Sequence, residues 1–191
     1  MLVNSHPFTA GNKNQIMTDN TDEQISALSE SIRELKARLT TVEDQLALYQ
    51  SVSAYGPAVD SLQNQMAAEL WTEDGVYDIG DPRFDAQGRE AIQALFDADY
   101  HQQLVAQGCA HTMTLPHIVI SGDRALGLGY HRLFTQERGG YELFRLSVSR
   151  WEWLKTESGW QTTRRVHRLV AEDGAAQVLL RDTLADMKAF E

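Results

Sequence analysis

Tyr55, Asp60 and His111 are the residues of this 191-residue sequence whose types and order point most directly to chemistry. Tyr55 and Asp60 lie five positions apart, across a predicted break between two helices, and His111 opens a predicted strand. A carboxylate within hydrogen-bonding reach of an imidazole orients the ring and favours its charged form. The ring can then accept a proton from carbon or oxygen and return it. A nearby tyrosine hydroxyl can polarise a carbonyl or protonate a leaving group, so the three residues together predict an acid–base site.

Each of these residues also has an ordinary structural interpretation. Asp60 is a suitable N-cap for a short helix predicted over residues 60–71. Tyr55 suits a half-buried core position, and His111 suits a core or interface position with its polar atoms satisfied. His117 is expected to be exposed, because Pro116 marks an edge or a bulge of the strand. Residue type and spacing leave the structural and the catalytic interpretations both open.

The elements that must position these residues fall into two groups along the chain. Helical patterns dominate up to residue 108, with a predicted break near Gly56-Pro57 and a later helix closed by Gly108. Four predicted strands follow, separated by the turn sequences SGD, ERGG and TESG, at residues 110–120, 124–137, 140–155 and 159–170. Helices followed by antiparallel hairpins predict an α+β fold.

The chain is predicted to contain four segments. They are a disordered lead-in at residues 1–22, a heptad helix at 23–48, the main domain at 49–172 and a C-terminal helical extension at 173–191. Apolar residues of the heptad helix recur at alternating spacings of three and four, at Ile25, Leu28, Ile32, Leu35, Leu39, Val42 and Leu46. This narrow stripe is typical of an amphipathic helix packed on its own domain or of a coiled coil that joins subunits.

Charge and composition exclude several classes of function. The net charge of −10 is spread along the chain, so neither nucleic acid nor an anionic membrane surface is an expected partner. The single cysteine, Cys109, suits a reducing compartment, and the lack of a signal pattern or a long apolar run predicts a cytoplasmic protein. The sequence has no close metal-ligand spacing, Gly-rich phosphate loop or G-x-S-x-G motif, which predicts that it uses no metal and no cofactor. The basic stretch at residues 164–168 is interpreted as a solvated strand face.

The sequence resembles the SnoaL-like branch of the nuclear transport factor 2-like superfamily over roughly residues 40–172. The resemblance is carried by the order of Tyr55, Asp60 and His111, the stretches WTEDGVYD and GDRA, and the GW pair of the last strand. It implies a cone-shaped, cystatin-like fold in which a curved, mostly antiparallel sheet wraps over helices around an apolar pocket. Family enzymes include scytalone dehydratase, bile-acid 7α-dehydratase, lindane dehydrochlorinase, ketosteroid isomerase and polyketide cyclases, which generally work without cofactors. In the bile-acid dehydratase, a tyrosine, an aspartate five residues later and a histidine that opens a strand form much of the site.

The sequence departs from that dehydratase at one position. The alternation of side chains along the predicted strands then extends the list of candidate substrate-binding residues. A further acidic residue of the dehydratase falls on Phe134 here, and because a phenyl ring cannot transfer protons, a different substrate is expected. If Phe134 faces inward, Tyr130 and Arg132 share its face and His131 points outward, unless a bulge exchanges the two sets. Arg132 can hold a carboxylate or an enolate. Further candidates for the wall or the mouth of the pocket are Trp71, Arg145 and His167.

Apolar residues on both faces of the third strand predict that both faces are covered, one by helices and the pocket and the other by a partner subunit. The sequence therefore predicts a homodimer or homotrimer that acts on a hydrophobic, cyclic or aromatic small molecule. The favoured function is a cofactor-independent lyase or isomerase with His111 as general base, Asp60 as its orienting partner and Tyr55 as acid or hydrogen-bond donor. The alternative is a protein of the same fold that binds a small molecule without catalysis or serves as an oligomeric scaffold.

Overall fold

The computed structural model describes residues 11–81 and 84–190, with side chains described from residue 21 onward. Within these residues the chain forms five helices: α1 Gly11–Asp60, α2 Asn64–Ala68, α3 Arg89–Asp97, α4 Asp99–Gln107 and α5 Ala175–Phe190. It also forms seven strands: β1 Trp71–Asp78, β2 Ala86–Gln87, β3 Cys109–Met113, β4 His117–Ser121, β5 Arg124–Glu137, β6 Gly140–Thr156 and β7 Gly159–Leu169. None of the helices in the described part of the chain is long and apolar enough to cross a membrane.

The chain divides into two compact units at Glu43 and Asp44. The first unit contains the N-terminal part of α1, which begins at Gly11 and not at residue 23 as the heptad pattern predicted. The predicted disordered lead-in is therefore helical from residue 11, and its residues 1–10 lie outside the described residues. The heptad side chains from Ile25 to Leu46 are all exposed.

The second unit is built on a curved sheet of seven strands in the order β2-β1-β7-β6-β5-β3, with β4 also paired to β5. Neighbouring strands are antiparallel except β1 and β7, which are parallel. The strand predicted at residues 110–120 is two strands, β3 and β4, because the chain leaves the ladder before Pro116, which has no N–H to donate. The α+β class predicted from the sequence patterns and the curved sheet that the family resemblance implies are both confirmed.

The C-terminal part of α1 differs from the prediction in a way that matters for the site. The helix continues through Gly56 and Pro57 and ends at Asp60, although Pro57 cannot donate the usual backbone hydrogen bond. The chain then turns through Leu62, which has a positive φ of 56°. α2 begins only at Asn64, so the prediction that Asp60 is an N-cap is wrong. Its carboxylate is available for another partner.

Aromatic side chains fill the space between α1, α3 and one face of the sheet. Trp71 of β1 and Trp151 and Trp153 of β6 are almost completely buried, as are Ile92 of α3 and Val59 of α1. The rings of Trp151 and Trp153 stack with centroids 5.8 Å apart. This core holds the end of α1 against the sheet and thereby fixes the residues of its last turns.

The opposite face of the sheet is covered by α5 of the same chain. Ala176 and Met187 of α5 are buried against apolar side chains of three strands, namely Val119, Leu126, Leu128 and Val148. The sequence predicted that a partner subunit covers this second apolar face. Over this cluster the cover is the C-terminal helix, which buries the same apolar surface within one chain.

Candidate active site

The last turn of α1 and the first residues of β3 bring Asp60 and His111 together. Oδ1 of Asp60 lies 2.5 Å from Nδ1 of His111, and the backbone N–H of His111 donates to Oδ2 at 2.7 Å. The carboxylate therefore holds both the ring and the backbone of His111, which fixes the orientation of the imidazole. Because Nδ1 is occupied by Asp60, Nε2 is the nitrogen that remains for a substrate.

The surroundings of Asp60 keep it ionised. Burial acts to raise its pKa, but the hydrogen bond and the charge of His111 outweigh this effect, so the pKa of the carboxyl is lowered. Sγ of Cys109 lies 3.4 Å from Oδ1 of Asp60 and can donate to it. Burial and the neighbouring carboxylate raise the pKa of the Cys109 thiol to about 12, so this thiol stays protonated near neutral pH.

The same three residues are the candidate metal ligands of the described part of the chain. One ligand atom each from Asp60, Cys109 and His111 lies within 4.8 Å of the other two. Ligands of a tetrahedral ion at about 2.0–2.3 Å lie roughly 3 Å or more from each other, and a zinc-bound cysteine is a thiolate. The 2.5 Å contact between Oδ1 of Asp60 and Nδ1 of His111 is shorter than the spacing of two ligands of one such ion, so these two atoms are placed as a hydrogen-bonded pair.

Tyr55, the third predicted member, lies in the aromatic core one turn before Asp60. Its ring packs edge-on to that of His111, with centroids 6.3 Å apart, and its hydroxyl lies 3.5 Å from the hydroxyl of Tyr77. Burial and the neighbouring Tyr77 raise the pKa of the Tyr55 hydroxyl. It is therefore better suited to donating a hydrogen bond than to releasing a proton.

Arg165 of β7 is the site feature that the sequence interpretation missed. Its side chain is completely buried, and its guanidinium carbon lies 4.3 Å from the ring centroids of both Tyr55 and Trp151. Nη2 donates to Oγ of Ser149 at 3.2 Å, whereas Nε and Nη1 have no hydrogen-bond partner among the described residues. Arg165 is therefore a buried cation that is held by aromatic faces and has no carboxylate partner among the described residues.

The interpretation of residues 164–168 as a solvated face is wrong for the three central positions, since Arg165, Val166 and His167 are buried. Arg164 and Arg168 point outward and pair with Asp78, as expected of a strand face that meets solvent. Arg165 and His167 alternate with them and face the core. His167, predicted near the mouth of the pocket, is buried beside Ser149, with 3.4 Å between its Nδ1 and Oγ.

Four imidazoles follow one another through this region. The ring centroids of His101 and His111 lie 5.9 Å apart, those of His111 and His131 5.5 Å, and those of His131 and His167 5.3 Å. Burial, followed by the positive charge of Arg165, lowers the pKa of both His131 and His167 well below the usual value. These two rings are neutral, so their nitrogens can accept as well as donate hydrogen bonds.

The predicted faces of β5 are the reverse of those in the structure. Tyr130 is 42% exposed and Arg132 is exposed, whereas His131 is 4% and Leu133 1% exposed. The inward set also contains Gly127, where a Cβ atom would lie 2.5 Å from the ring of Trp153. The outward set begins with the leucines under α5, and because both sets are apolar, alternation alone could not tell which one faces the core.

The remaining predicted residues occupy different surroundings. Trp71 is buried in the core with its ring centroid 6.0 Å from that of Tyr55. Phe134 is half-buried and pairs with Ala110 of β3. Arg145 is half-buried on β6, where its Nη2 donates to the hydroxyl of Tyr100 at 3.4 Å. Of these residues, only Trp71 belongs to the aromatic core around Tyr55.

A groove of about 340 Å³ gives access to His111. Its walls are Tyr49, Val52 and Ser53 of α1 on one side and residues 111–116 on the other. Apolar and hydroxyl-bearing side chains alternate along it, which suits a small, largely hydrophobic molecule. His111 is thus shared between this groove and the pair that it forms with Asp60.

Comparisons with known proteins agree with this architecture. The family model of the SnoaL-like domain matches residues 40–166. An NTF2-like protein with a cystatin-like fold from Novosphingobium aromaticivorans is 36% identical, with a TM-score of 0.74 over 76% of this chain and 94% of that chain. A comparison with curated proteins gave no match.

Two more distant solved structures share the fold. A candidate scytalone dehydratase from Novosphingobium aromaticivorans is 18% identical, with a TM-score of 0.57 over 69% of this chain and 87% of that chain. A protein from Catenulispora acidiphila, solved in complex with S-DNPA, is 21% identical, with a TM-score of 0.57 over 65% of this chain and 91% of that chain. Fold and site together define a cystatin-like α+β protein with an Asp–His pair beside a groove. The chain belongs to the SnoaL-like domain family.

Proposed function

We propose that this protein is a cofactor-independent lyase or isomerase that acts on a hydrophobic cyclic or aromatic small molecule. The observation that carries the proposal is the hydrogen-bonded pair of Asp60 and His111, because His111 is also one of the residues that line a groove large enough for a small ligand. The name of one structural relative, a candidate scytalone dehydratase, supports a lyase reaction, and the complex of another relative with S-DNPA supports a small-molecule ligand.

In the proposed reaction, His111 is the general base. Nε2 accepts a proton from a substrate carbon or oxygen, and the ionised Asp60 stabilises the imidazolium that results. The same nitrogen then returns the proton to another atom of the substrate for isomerisation, or to a departing hydroxyl for dehydration. Tyr55, whose ring packs against that of His111, contributes a hydrogen-bond donor, and the buried guanidinium of Arg165 lies 4.3 Å from the ring of Tyr55.

Native mass spectrometry of the purified protein, followed by turnover assays on cyclic ketones, alcohols and phenols related to any bound compound, would test this function. We expect His111→Ala to lower kcat by about 10²–10⁴-fold, the usual contribution of a general base, and Asp60→Asn to lower it as well. His117→Ala is the matched control, because His117 is exposed on β4, and its turnover should stay within about twofold of the native protein. Full turnover by His111→Ala would show that His111 is not the base.

A protein that only binds a small molecule is the second candidate, because the groove exists whether or not His111 transfers protons. Binding to the native protein and to His111→Ala distinguishes the two candidates. If a co-purified compound binds both proteins equally and neither converts it, the binding function is supported and the catalytic one is contradicted.

We also infer that the chain forms a homo-oligomer. The main support is the row of exposed apolar side chains along one face of α1. Isolated exposed leucines are common on protein surfaces, but a regular series of them is typical of an interface.

A further inference from the structure

One face of α1 carries seven apolar side chains that the folded chain leaves exposed. Their exposed fractions run from 45% to 64%, at Ile25, Leu28, Ile32, Leu35, Leu39, Val42 and Leu46. We call this row the heptad face. It extends from residue 25 to residue 46, or about 32 Å of helix at 1.5 Å per residue. A row of this length and regularity requires a partner of similar length that is apolar along one narrow stripe.

A second copy of the same helix satisfies this requirement. The spacing of three and then four residues assigns Ile25, Ile32, Leu39 and Leu46 to heptad position a. The other three apolar residues of the heptad face, Leu28, Leu35 and Val42, then occupy position d. Isoleucine at a with leucine at d, as in the first two heptads, favours two parallel strands over three or four. The first two heptads therefore favour a dimer over a trimer, whereas the third, with Leu39 at a and Val42 at d, does not have this pattern.

Charges beside the heptad face indicate the direction in which two copies pair. In this assignment Arg38 occupies position g and Glu43 the following position e. In a parallel, in-register pair, g of one helix lies opposite the following e of the other, so Arg38 faces Glu43 of the second copy twice by symmetry. Within the described part of the chain, neither residue forms a salt bridge, although Glu30 and Arg33 of the same helix do.

The remaining flanking positions create no conflict in this arrangement. Gln24 lies opposite Ser29 of the second copy, and Ser31 lies opposite Lys36. An antiparallel arrangement places g opposite g and e opposite e, so it does not bring Arg38 to Glu43. It brings Lys36 to Glu43, both at position e, only in a register that overlaps residues 35–46 and leaves Ile25, Leu28 and Ile32 unpaired. The parallel arrangement is therefore the one that the charge pattern favours.

The C-terminal helix gives a second reason to assign dimerisation to α1. An apolar sheet face is the other surface on which a second subunit could pack, but α5 covers the apolar cluster around Leu126, Leu128 and Val148. Exposed apolar side chains on the sheet are concentrated at the β5–β6 hairpin, for example at Phe144. Phe144 therefore offers a control surface for the experiment.

We propose that residues 25–46 pair with the same residues of a second copy in a parallel, in-register, two-stranded coiled coil, with ion pairs between Arg38 of each copy and Glu43 of the other. The inference does not depend on the proposed catalytic function. Its failure, seen in solution mass, is distinct from a failure of the enzyme hypothesis, seen in turnover.

Sedimentation equilibrium of the full chain tests the stoichiometry. The native protein should have twice the subunit mass of 21.5 kDa, and Leu35→Asp should have the subunit mass with unchanged near-ultraviolet circular dichroism. Leu35 is 59% exposed, so its replacement should not disturb the folded subunit. Phe144→Asp, on the exposed sheet surface, should remain dimeric. A trimer, a native monomer, or dissociation by Phe144→Asp instead of Leu35→Asp would overturn the proposal.

Charge exchange and cross-linking test the orientation. Arg38→Glu should weaken the dimer by about ten-fold, since two exposed ion pairs are replaced by repulsion, and adding Glu43→Arg should restore the native affinity. Leu28→Cys should form a disulfide-linked dimer under mild oxidation, because equivalent d positions meet only in a parallel, in-register pair. The native protein, with Cys109 alone, is the control for this cross-link. Failure of either the rescue or the cross-link would contradict the parallel arrangement.

Discussion

Gly56 lies one turn before Asp60 in α1, directly against β3. A Cβ atom at this position would lie 2.1 Å from the carbonyl oxygen of His111, which is far inside the normal contact distance. The absence of a side chain therefore lets the backbone of α1 approach that of β3. This close approach allows Asp60 to reach both the ring and the backbone N–H of His111. Gly56, which has no functional side chain, thus sets the geometry of the Asp60–His111 pair.

We expect Gly56→Ala to destabilise the protein by about 1–3 kcal/mol, the usual effect of overpacking. Helix propensity alone predicts the opposite sign, because alanine in a helix is favoured over glycine by about 1 kcal/mol. Urea unfolding of the native and variant proteins measures the difference. Gly140→Ala is the control, since nothing lies within 4 Å of a Cβ at Gly140, and its effect should stay within about 0.5 kcal/mol. Stabilisation by Gly56→Ala would show that α1 and β3 are not in close contact.

At the scale of the element, α5 explains why the sheet carries apolar residues on both faces. The helix packs Ala176 and Met187 into the cluster formed by β4, β5 and β6. Strand β5 therefore has leucines on its outward face as well as a core-facing series that includes His131 and Leu133. An element that follows the whole sheet in sequence thus decides which face of an earlier strand becomes the inner one.

Replacing Met187 with alanine tests the packing of α5. Met187 is 3% exposed, and its loss should lower the free energy of unfolding by about 2–5 kcal/mol, the range for large-to-small changes in a core. Leu184→Ala on the same helix is the matched control, because Leu184 is 45% exposed and its loss should change stability by less than about 1 kcal/mol. Denaturant titration of both variants measures the contrast. Equal effects would contradict the proposed burial of the Met187 face.

At the scale of the molecule, the interior combines a positive charge with neutral imidazoles. Arg165 is buried among Tyr55, Tyr77 and Trp151, and its charge together with burial lowers the pKa of His131 and His167. In the unfolded chain both histidines titrate near the usual value of about 6.5. The unfolded state therefore binds protons below that pH that the folded state does not bind.

Stability should consequently be independent of these histidines above about pH 7 and should fall as the pH decreases below about 6.5. Between about pH 6 and 5 each neutral buried histidine contributes a slope approaching about 1.4 kcal/mol per pH unit, or about 2.7 for the pair. Urea unfolding at several pH values measures this slope. His167→Asn should reduce it by about half, whereas His117→Asn, at an exposed position, should leave it unchanged. A flat profile down to about pH 5 would mean that the two rings are protonated in the folded protein.

The carboxylate of Asp60, whose pKa is lowered, should add a further loss of stability only below about pH 4.

Local patterns in the sequence were sufficient for much of the fold. The turn sequences between β5, β6 and β7 predicted the ends of these strands to within about one residue, because hairpin turns are local structures with strong residue preferences. The order of helices and hairpins predicted the α+β class. The hydrogen bond between Asp60 and His111 was predicted from their order in the chain together with the family resemblance, and their catalytic roles stay a prediction.

The tertiary structure decided the features that depend on distant parts of the chain. Local preference predicted a break at Gly56-Pro57, but packing against the aromatic core carries α1 on to Asp60. The period of two in a strand shows which residues share a face, yet it cannot select the inner face when both are apolar. For this reason the inward position of His131 was missed, whereas Arg165 was missed because the basic stretch at residues 164–168 was interpreted as a solvated face. The burial of a residue and the pairing of its charge depend on neighbours from the whole fold. A short stretch of sequence therefore does not determine them.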